Sequence, residues 1–160
     1  MKRVLLLSLF VLLASAVTVS AQSISDGTLL HDGYERTYLV YVPASYDGTE
    51  PVPLVIALHG GGGFAENMAR TTDFNVAADE HGFIVAYPEG VGNGWNDGRT
   101  AILQIAIRQR VDDVGFLTAL IDELKVQYRI DRVYMTGISN GGMMTFRYAC
   151  AMADQLAGFM

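Results

Sequence analysis

Apolar residues fall along this chain in two rhythms. Short continuous runs at Tyr38–Val42, Leu54–Leu58, Phe83–Tyr87 and Val133–Met135 are rich in β-branched and aromatic residues. They stop at Pro43, a glycine cluster, Pro88 and Thr136-Gly137. Runs of this length bounded by such breakers predict strands. Between the last two, Val114, Leu117, Leu120, Ile121, Leu124 and Tyr128 recur at three and four residues. That spacing gathers side chains on one face of a helix, and Asp112 or Asp113 stands where its N-cap belongs. Further helices are expected over Phe74–His81 and from Met143 to Ala153. Strands apolar on both faces and alternating with helices predict a mostly parallel sheet covered on two sides, an α/β fold.

The N-terminus follows a different pattern. Lys2 and Arg3 precede a nearly unbroken apolar run from Val4 to Val19, and Val19-Ser20-Ala21 supplies the small residues of a peptidase site. This predicts a signal peptide over residues 1–21, removed ahead of Gln22. The rival reading, an uncleaved anchor, needs roughly 20 apolar residues, and the run is shorter. The expected protein is secreted or periplasmic, with no membrane segment after cleavage and one domain segment over residues 22–160.

Composition narrows the chemistry. With 160 residues, 51% of them apolar and 18% charged, the chain suits one globular unit. A formal charge of −6 repels phosphate backbones, so no nucleic-acid partner is expected. Cys150 is the single cysteine and can form no internal disulfide. Closely spaced Cys/His ligand pairs are absent from the sequence, so no metal is expected.

Two glycine-rich turns carry the candidate chemistry. Val133 to Met135 runs into Gly137-Ile138-Ser139-Asn140-Gly141, a G-x-S-x-G sequence between a predicted strand and a predicted helix. In that setting the serine sits at the apex of a strained turn, and Gly137 and Gly141 let the helix backbone approach the neighbouring strands. Ser139 is the candidate nucleophile, raised above the carboxyl ends of the strands. The competing reading is an ordinary turn with a helix-capping serine.

The second turn, Leu58-His59-Gly60-Gly61-Gly62-Gly63, follows the Leu54–Leu58 run. Bare glycines bring backbone N–H groups against a ligand oxygen, as in an H-G-G-G oxyanion loop. Gly61 is the expected loop donor, with Gly60 as the alternative, and the N–H of Asn140 is the second donor. A phosphate-binding loop fails for want of the Lys-Ser/Thr pair. His59 is expected to order this loop rather than act as a base, while His31 and His81 read as surface residues. Trp95 and Asn96, in the Gly92–Gly98 loop, are candidates to line a substrate cleft. The other reading of Trp95 is an aromatic that pins a loop.

Taken together, Leu58–Gly63, Ala86-Tyr87-Pro88-Glu89-Gly90, Trp95-Asn96, Val111–Phe116 and Thr136–Met144 resemble the secreted esterases grouped as polyhydroxybutyrate depolymerase-like and feruloyl esterase-like proteins, within the α/β-hydrolases. The resemblance spans roughly residues 33–160. It implies an α/β-hydrolase fold and serine-dependent hydrolysis of polyester or plant-derived esters without a cofactor. The stretch from Arg99 to Arg110 departs from it, because relatives often carry cysteines after the Trp-Asn pair and this chain has none.

In this fold the acid and base follow the nucleophile along the chain. Only Asp154 and no histidine follow Ser139, and Asp154 sits where the elbow helix ends. The chain is therefore expected to be the N-terminal portion of a catalytic domain, with Ala157–Met160 opening a further strand and the fragment itself inactive. A peptidase of the same fold, or a non-catalytic binding protein on this scaffold, remains an alternative.

Overall fold

The computed structural model describes residues 23–100 and 104–160. The expected signal peptide lies outside the described residues. Six strands run β1 Ser23–His31, β2 Tyr34–Val42, β3 Val52–Leu58, β4 Ile84–Pro88, β5 Ile130–Gly137 and β6 Gly158–Phe159. The helices are α1 Ala65–Thr71, α2 Phe74–His81, α3 Ile105–Arg108, α4 Asp113–Gln127 and α5 Asn140–Ala151, followed by a 3₁₀ turn at Ala153–Gln155. One sheet takes the order β1-β2-β4-β3-β5-β6.

β4, β3, β5 and β6 are parallel, whereas β1 and β2 form an antiparallel hairpin whose second strand pairs antiparallel with β4. The sheet is thus mixed on its β1 side. At the hairpin tip Asp32 has φ 48° and Gly33 φ 78°, the left-handed pair that a two-residue turn matching the strand twist requires. The four runs expected as strands are β2 to β5. The expected strand at Ala157–Met160 is β6, with Tyr134 opposite Gly158 and Met135 opposite Phe159.

Alternation along the strands divides two cores. Leu54, Ile56 and Leu58 of β3 point to the face packed by Phe116, Leu117, Leu120, Ile121 and Leu124 of α4 and Met144 and Tyr148 of α5. Ala57, Val85 and Tyr87 point to the other face, under Ala65, Met68 and Ala69 of α1 and Ala78 of α2. Period 2 in the strands and period 3.6 in α4 therefore meet. Full burial of each such leucine contributes about 1.5–3 kcal/mol. Asp112 is the N-cap of α4 and accepts the Gly115 N–H at 3.0 Å, while Asp113 lies inside at 0% exposure.

Three helices begin where local pattern does not place them. α5 starts at Asn140 rather than Met143, because the elbow passes straight from strand to helix. α1 and α3 carry no local start signal, since neither N-cap residue, Phe64 or Gln104, makes a side-chain cap bond; the first N–H of α1 goes instead to the Glu89 carboxylate from across the fold. Among the described residues no helix is long and apolar enough to cross a membrane.

Candidate active site

β5 delivers Ser139 into a turn with φ 53° and ψ −115°, a backbone conformation that costs a non-glycine residue on the order of 1–3 kcal/mol. The turn is held on both sides. Ile138 N–H donates to Leu58 O at 3.1 Å and Gly141 N–H to Ile138 O at 2.9 Å. Ser139 is exposed. A Cβ on Gly141 would lie 2.4 Å from His59 O and 2.5 Å from Leu58 O, and one on Gly137 would lie 2.4 Å from the Gly141 carbonyl carbon. These are backbone atoms that cannot swing aside, so both positions require glycine.

The glycine-rich loop lies against this elbow. A Cβ on Gly60 would come within 3.6 Å of Ser139 Cβ, and one on Gly61 within 3.7 Å of Asn140 Cβ. Gly62 N–H donates to Asn93 O at 2.7 Å and Gly63 N–H to Gly60 O at 3.0 Å. Among the described residues no loop or turn carbonyl takes the N–H of Gly61 or Asn140. The structure thus brings Ser139, Asn140, Gly60 and Gly61 together.

His59 is 2% exposed, with both ring nitrogens engaged by backbone groups. Its Nδ1 lies 2.8 Å from Gly60 O and its Nε2 accepts the Gly90 N–H at 3.0 Å. These partners assign the neutral tautomer with the proton on Nδ1, a loop-ordering group with no nitrogen left to serve a hydroxyl. Behind it, the Glu89 carboxylate accepts the Ala65 N–H at 2.7 Å and lies 3.4 Å from His59 Nε2. Burial pushes the Glu89 carboxyl above its usual range.

Trp95 does not line a cleft, and Asn96 is half-buried. Trp95 is 0% exposed, and its indole Nε1–H donates to His59 O at 2.9 Å. An indole with no accessible surface cannot touch a substrate, and the loop-pinning alternative describes it. The Asn96 N–H donates to Asp113 Oδ2 at 2.7 Å, its side chain donates to Val111 O at 2.8 Å, and its carbonyl accepts from Arg147. Its polar groups are spent on holding the loop to α4 and α5.

Local sequence signals missed several residues around the site. Asn140 uses its side chain as well as its backbone: Oδ1 accepts the Trp95 N–H at 2.7 Å, and Nδ2 donates to Trp95 O at 3.1 Å and Asp97 Oδ2 at 2.6 Å. Gln104 lies over the loop, its amide so placed that a Cβ on Gly61 would stand 2.2 Å from Nε2 and one on Gly94 2.2 Å from Oε1. Arg36 and Asp113 form an ion pair at 2.8 Å, 2% and 0% exposed at their side chains. His31 is tied rather than free, its Nε2 lying 3.1 Å from Asp112 Oδ2. His81 is exposed.

An apolar cavity shares no lining residue with Ser139, Asn140, Gly60 or Gly61. That cavity, about 360 Å³, is lined by residues including Phe74, Met135, Phe159 and Met160 at the β5–β6 edge. Cys150 is exposed and free, and no three His, Cys, Asp or Glu side chains among the described residues gather as metal ligands.

A family profile described as Esterase PHB depolymerase matches residues 36–158. Feruloyl esterase B of Thermothelomyces thermophilus is 32% identical over 87% of this chain and 48% of its own length. Poly(3-hydroxybutyrate) depolymerase of Ralstonia pickettii is 31% identical over 91% of this chain and 31% of its own. The acetyl xylan esterase of Aspergillus awamori superposes with a TM-score of 0.66 at 21% identity, covering 86% of this chain and half of the other, a likeness in fold alone. The fold is that of the α/β-hydrolases. The chain spans less than half the length of the curated relatives it matches.

Proposed function

Because the chain belongs to the Esterase PHB depolymerase family, we propose that it is the nucleophile-bearing part of a secreted serine carboxylic-ester hydrolase acting on polyester or plant-derived esters. The observation that carries this reading is Ser139 at the apex of its strained turn, beside two backbone N–H groups that meet no loop or turn carbonyl among the described residues. In the proposed reaction the Ser139 oxygen attacks the ester carbonyl carbon. The carbonyl oxygen takes up negative charge and rests on the N–H groups of Gly61 and Asn140, with Gly60 as the alternative to Gly61. Collapse expels the alcohol and leaves an acyl-enzyme that water clears. The N-terminus of α5 favours the developing charge.

Deprotonation of Ser139 needs a base. Both nitrogens of His59 are engaged, so His59 is not that base. A hole without a triad retains only roughly 10³–10⁴-fold enhancement over water. Residues 1–160 alone should therefore hydrolyse an activated ester no faster than their own Ser139→Ala variant.

The test is Ser139→Ala in the chain as its gene encodes it in full. Turnover of p-nitrophenyl acetate and methyl ferulate should fall by about 10³-fold or more, and labelling by a fluorophosphonate probe should vanish while the thermal melt is unchanged. Labelling that survives the substitution would place the nucleophile elsewhere.

A further inference from the structure

Two separate segments supply the proposed oxyanion donors, and a third segment holds both. The Gly61 side is tied through His59, whose carbonyl accepts the Trp95 indole N–H at 2.9 Å and whose ring holds Gly60 O. The Asn140 side is tied through its side-chain amide, which pairs with both the N–H and the carbonyl of the same Trp95. One residue therefore spans the two arms. The remaining fastening is Asp97: Asn140 Nδ2 donates to its Oδ2 at 2.6 Å, and that carboxylate side chain is 0% exposed.

Asp97 is itself clamped. Arg99 donates from Nε to both carboxylate oxygens at 3.1 and 3.0 Å, from Nη2 to Oδ2 at 2.7 Å, and from its backbone N–H to Oδ1 at 3.1 Å. Burial alone would raise the Asp97 carboxyl, but the Arg99 bonds and the Asn140 amide outweigh it and hold the group below its usual range. It is thus a fixed anion, and a charged acceptor makes a shorter, stiffer bond to the amide than a neutral one. Asn140 is the first residue of α5, directly after the strained Ser139 peptide. Fixing its Cβ and amide at three points fixes the plane from which its N–H projects.

We propose that Asp97 is a positioning residue for ester hydrolysis: through the Asn140 side chain it sets the aim of the Asn140 N–H at the developing oxyanion, with Trp95 setting the distance to Gly61. This rests on the function proposed above. Asp97 touches no substrate, and its effect belongs to the transition state, where the oxygen moves into the hole. Its loss should therefore appear in kcat and leave KM nearly unchanged.

The experiment compares wild type, Asp97→Ala, Asp97→Asn, Asn140→Ala and the Asp97→Ala/Asn140→Ala double variant in the full-length protein, with p-nitrophenyl acetate as substrate and Ser139→Ala as blank. Asp97→Ala should lower kcat about 10–100-fold with KM within about twofold. Asp97→Asn, which keeps an oxygen facing Asn140, should lose less. Asn140→Ala should match Asp97→Ala, and the double variant should be no worse than either, as expected of groups acting as one unit. Should Asp97→Ala fail to fold, Asn140→Ala decides, since it keeps the backbone N–H. A kcat within twofold of wild type, a loss confined to KM, or additive losses overturn the proposal. Wild-type protein without Ser139-dependent turnover overturns the functional reading and this one with it, whereas Ser139-dependent turnover indifferent to Asp97 and Asn140 overturns this one alone.

Discussion

Replacing Asp113 by alanine tests the packing that holds the site loop to the sheet. The Arg36 guanidinium, 2% exposed, donates to Asp113 Oδ1 at 2.8 Å and to Glu89 O at 3.0 Å, and its central carbon sits 3.8 Å from the centre of the Phe116 ring. Burial lowers the Arg36 pKa and raises that of Asp113, and each charge pulls the other back. Deleting the carboxylate strands a buried cation, a loss of about 3–5 kcal/mol. It also orphans the Asn96 N–H, now bonded to Asp113 Oδ2 at 2.7 Å, which adds on the order of 1 kcal/mol. Against a total stability of about 5–15 kcal/mol, that removes about a quarter or more. Removing both charges should be milder, because the cost lies in the uncompensated charge rather than in losing the pair. The assay is urea unfolding at pH 7 for Asp113→Ala and for the Arg36→Met/Asp113→Leu double variant, whose Met side chain can still lie on Phe116. The double variant should recover at least half of the loss. An Asp113→Ala protein within 1 kcal/mol of wild type, or a double variant as damaged as the single one, would refute the reasoning.

Other outcomes follow from single groups. The Gly115 N–H, and after it His31, hold the Asp112 carboxyl below its ordinary range. Its contribution is therefore present above the unfolded value of about 3.9 and disappears as the pH drops through the lower folded value. Asp112→Ala should destabilise by about 1 kcal/mol at pH 7, and the gap from wild type should close in acid melts; a gap constant with pH would contradict the assignment. For export, we expect mass spectrometry of protein recovered from periplasm or medium to find the N-terminus at Gln22, whereas intact Met1 in a membrane fraction would refute the signal-peptide reading.

What could be read from sequence was what depends on near neighbours. β3 and β4 carry continuous apolar runs because both their faces are covered, and α4 announces itself by an apolar stripe at helical spacing and by its Asp112 cap. β1 escaped because Ser23–His31 is an edge strand of mixed polarity, although Asp32-Gly33 is a hairpin signal in its own right. The antiparallel attachment of β2 to β4 has no local signature. The elbow was legible because its glycines obey a steric rule at fixed spacing. The bracing network was not: Arg36 meets Asp113 across 77 residues, and Asn140 meets Trp95 across 45. Trp95 shows the same limit from the other side, since an aromatic in a glycine-rich loop looks the same in sequence whether it faces solvent or plugs the core.

The strand order also sets a timetable for synthesis. β3 lies between β4 and β5, yet its two neighbours emerge far apart in time. By Pro88 the chain holds everything needed for the β3–β4 pairing, whereas the other margin of β3 waits for Ile130–Gly137. At about 5–20 residues per second, a nascent chain spends seconds with that margin bare. During that interval Leu58 O, which later accepts the Ile138 N–H beside Ser139, lacks that partner, and an open apolar margin is where neighbouring chains attach. The candidate site thus sits on the margin of β3 whose partner strand is synthesised last of its two neighbours.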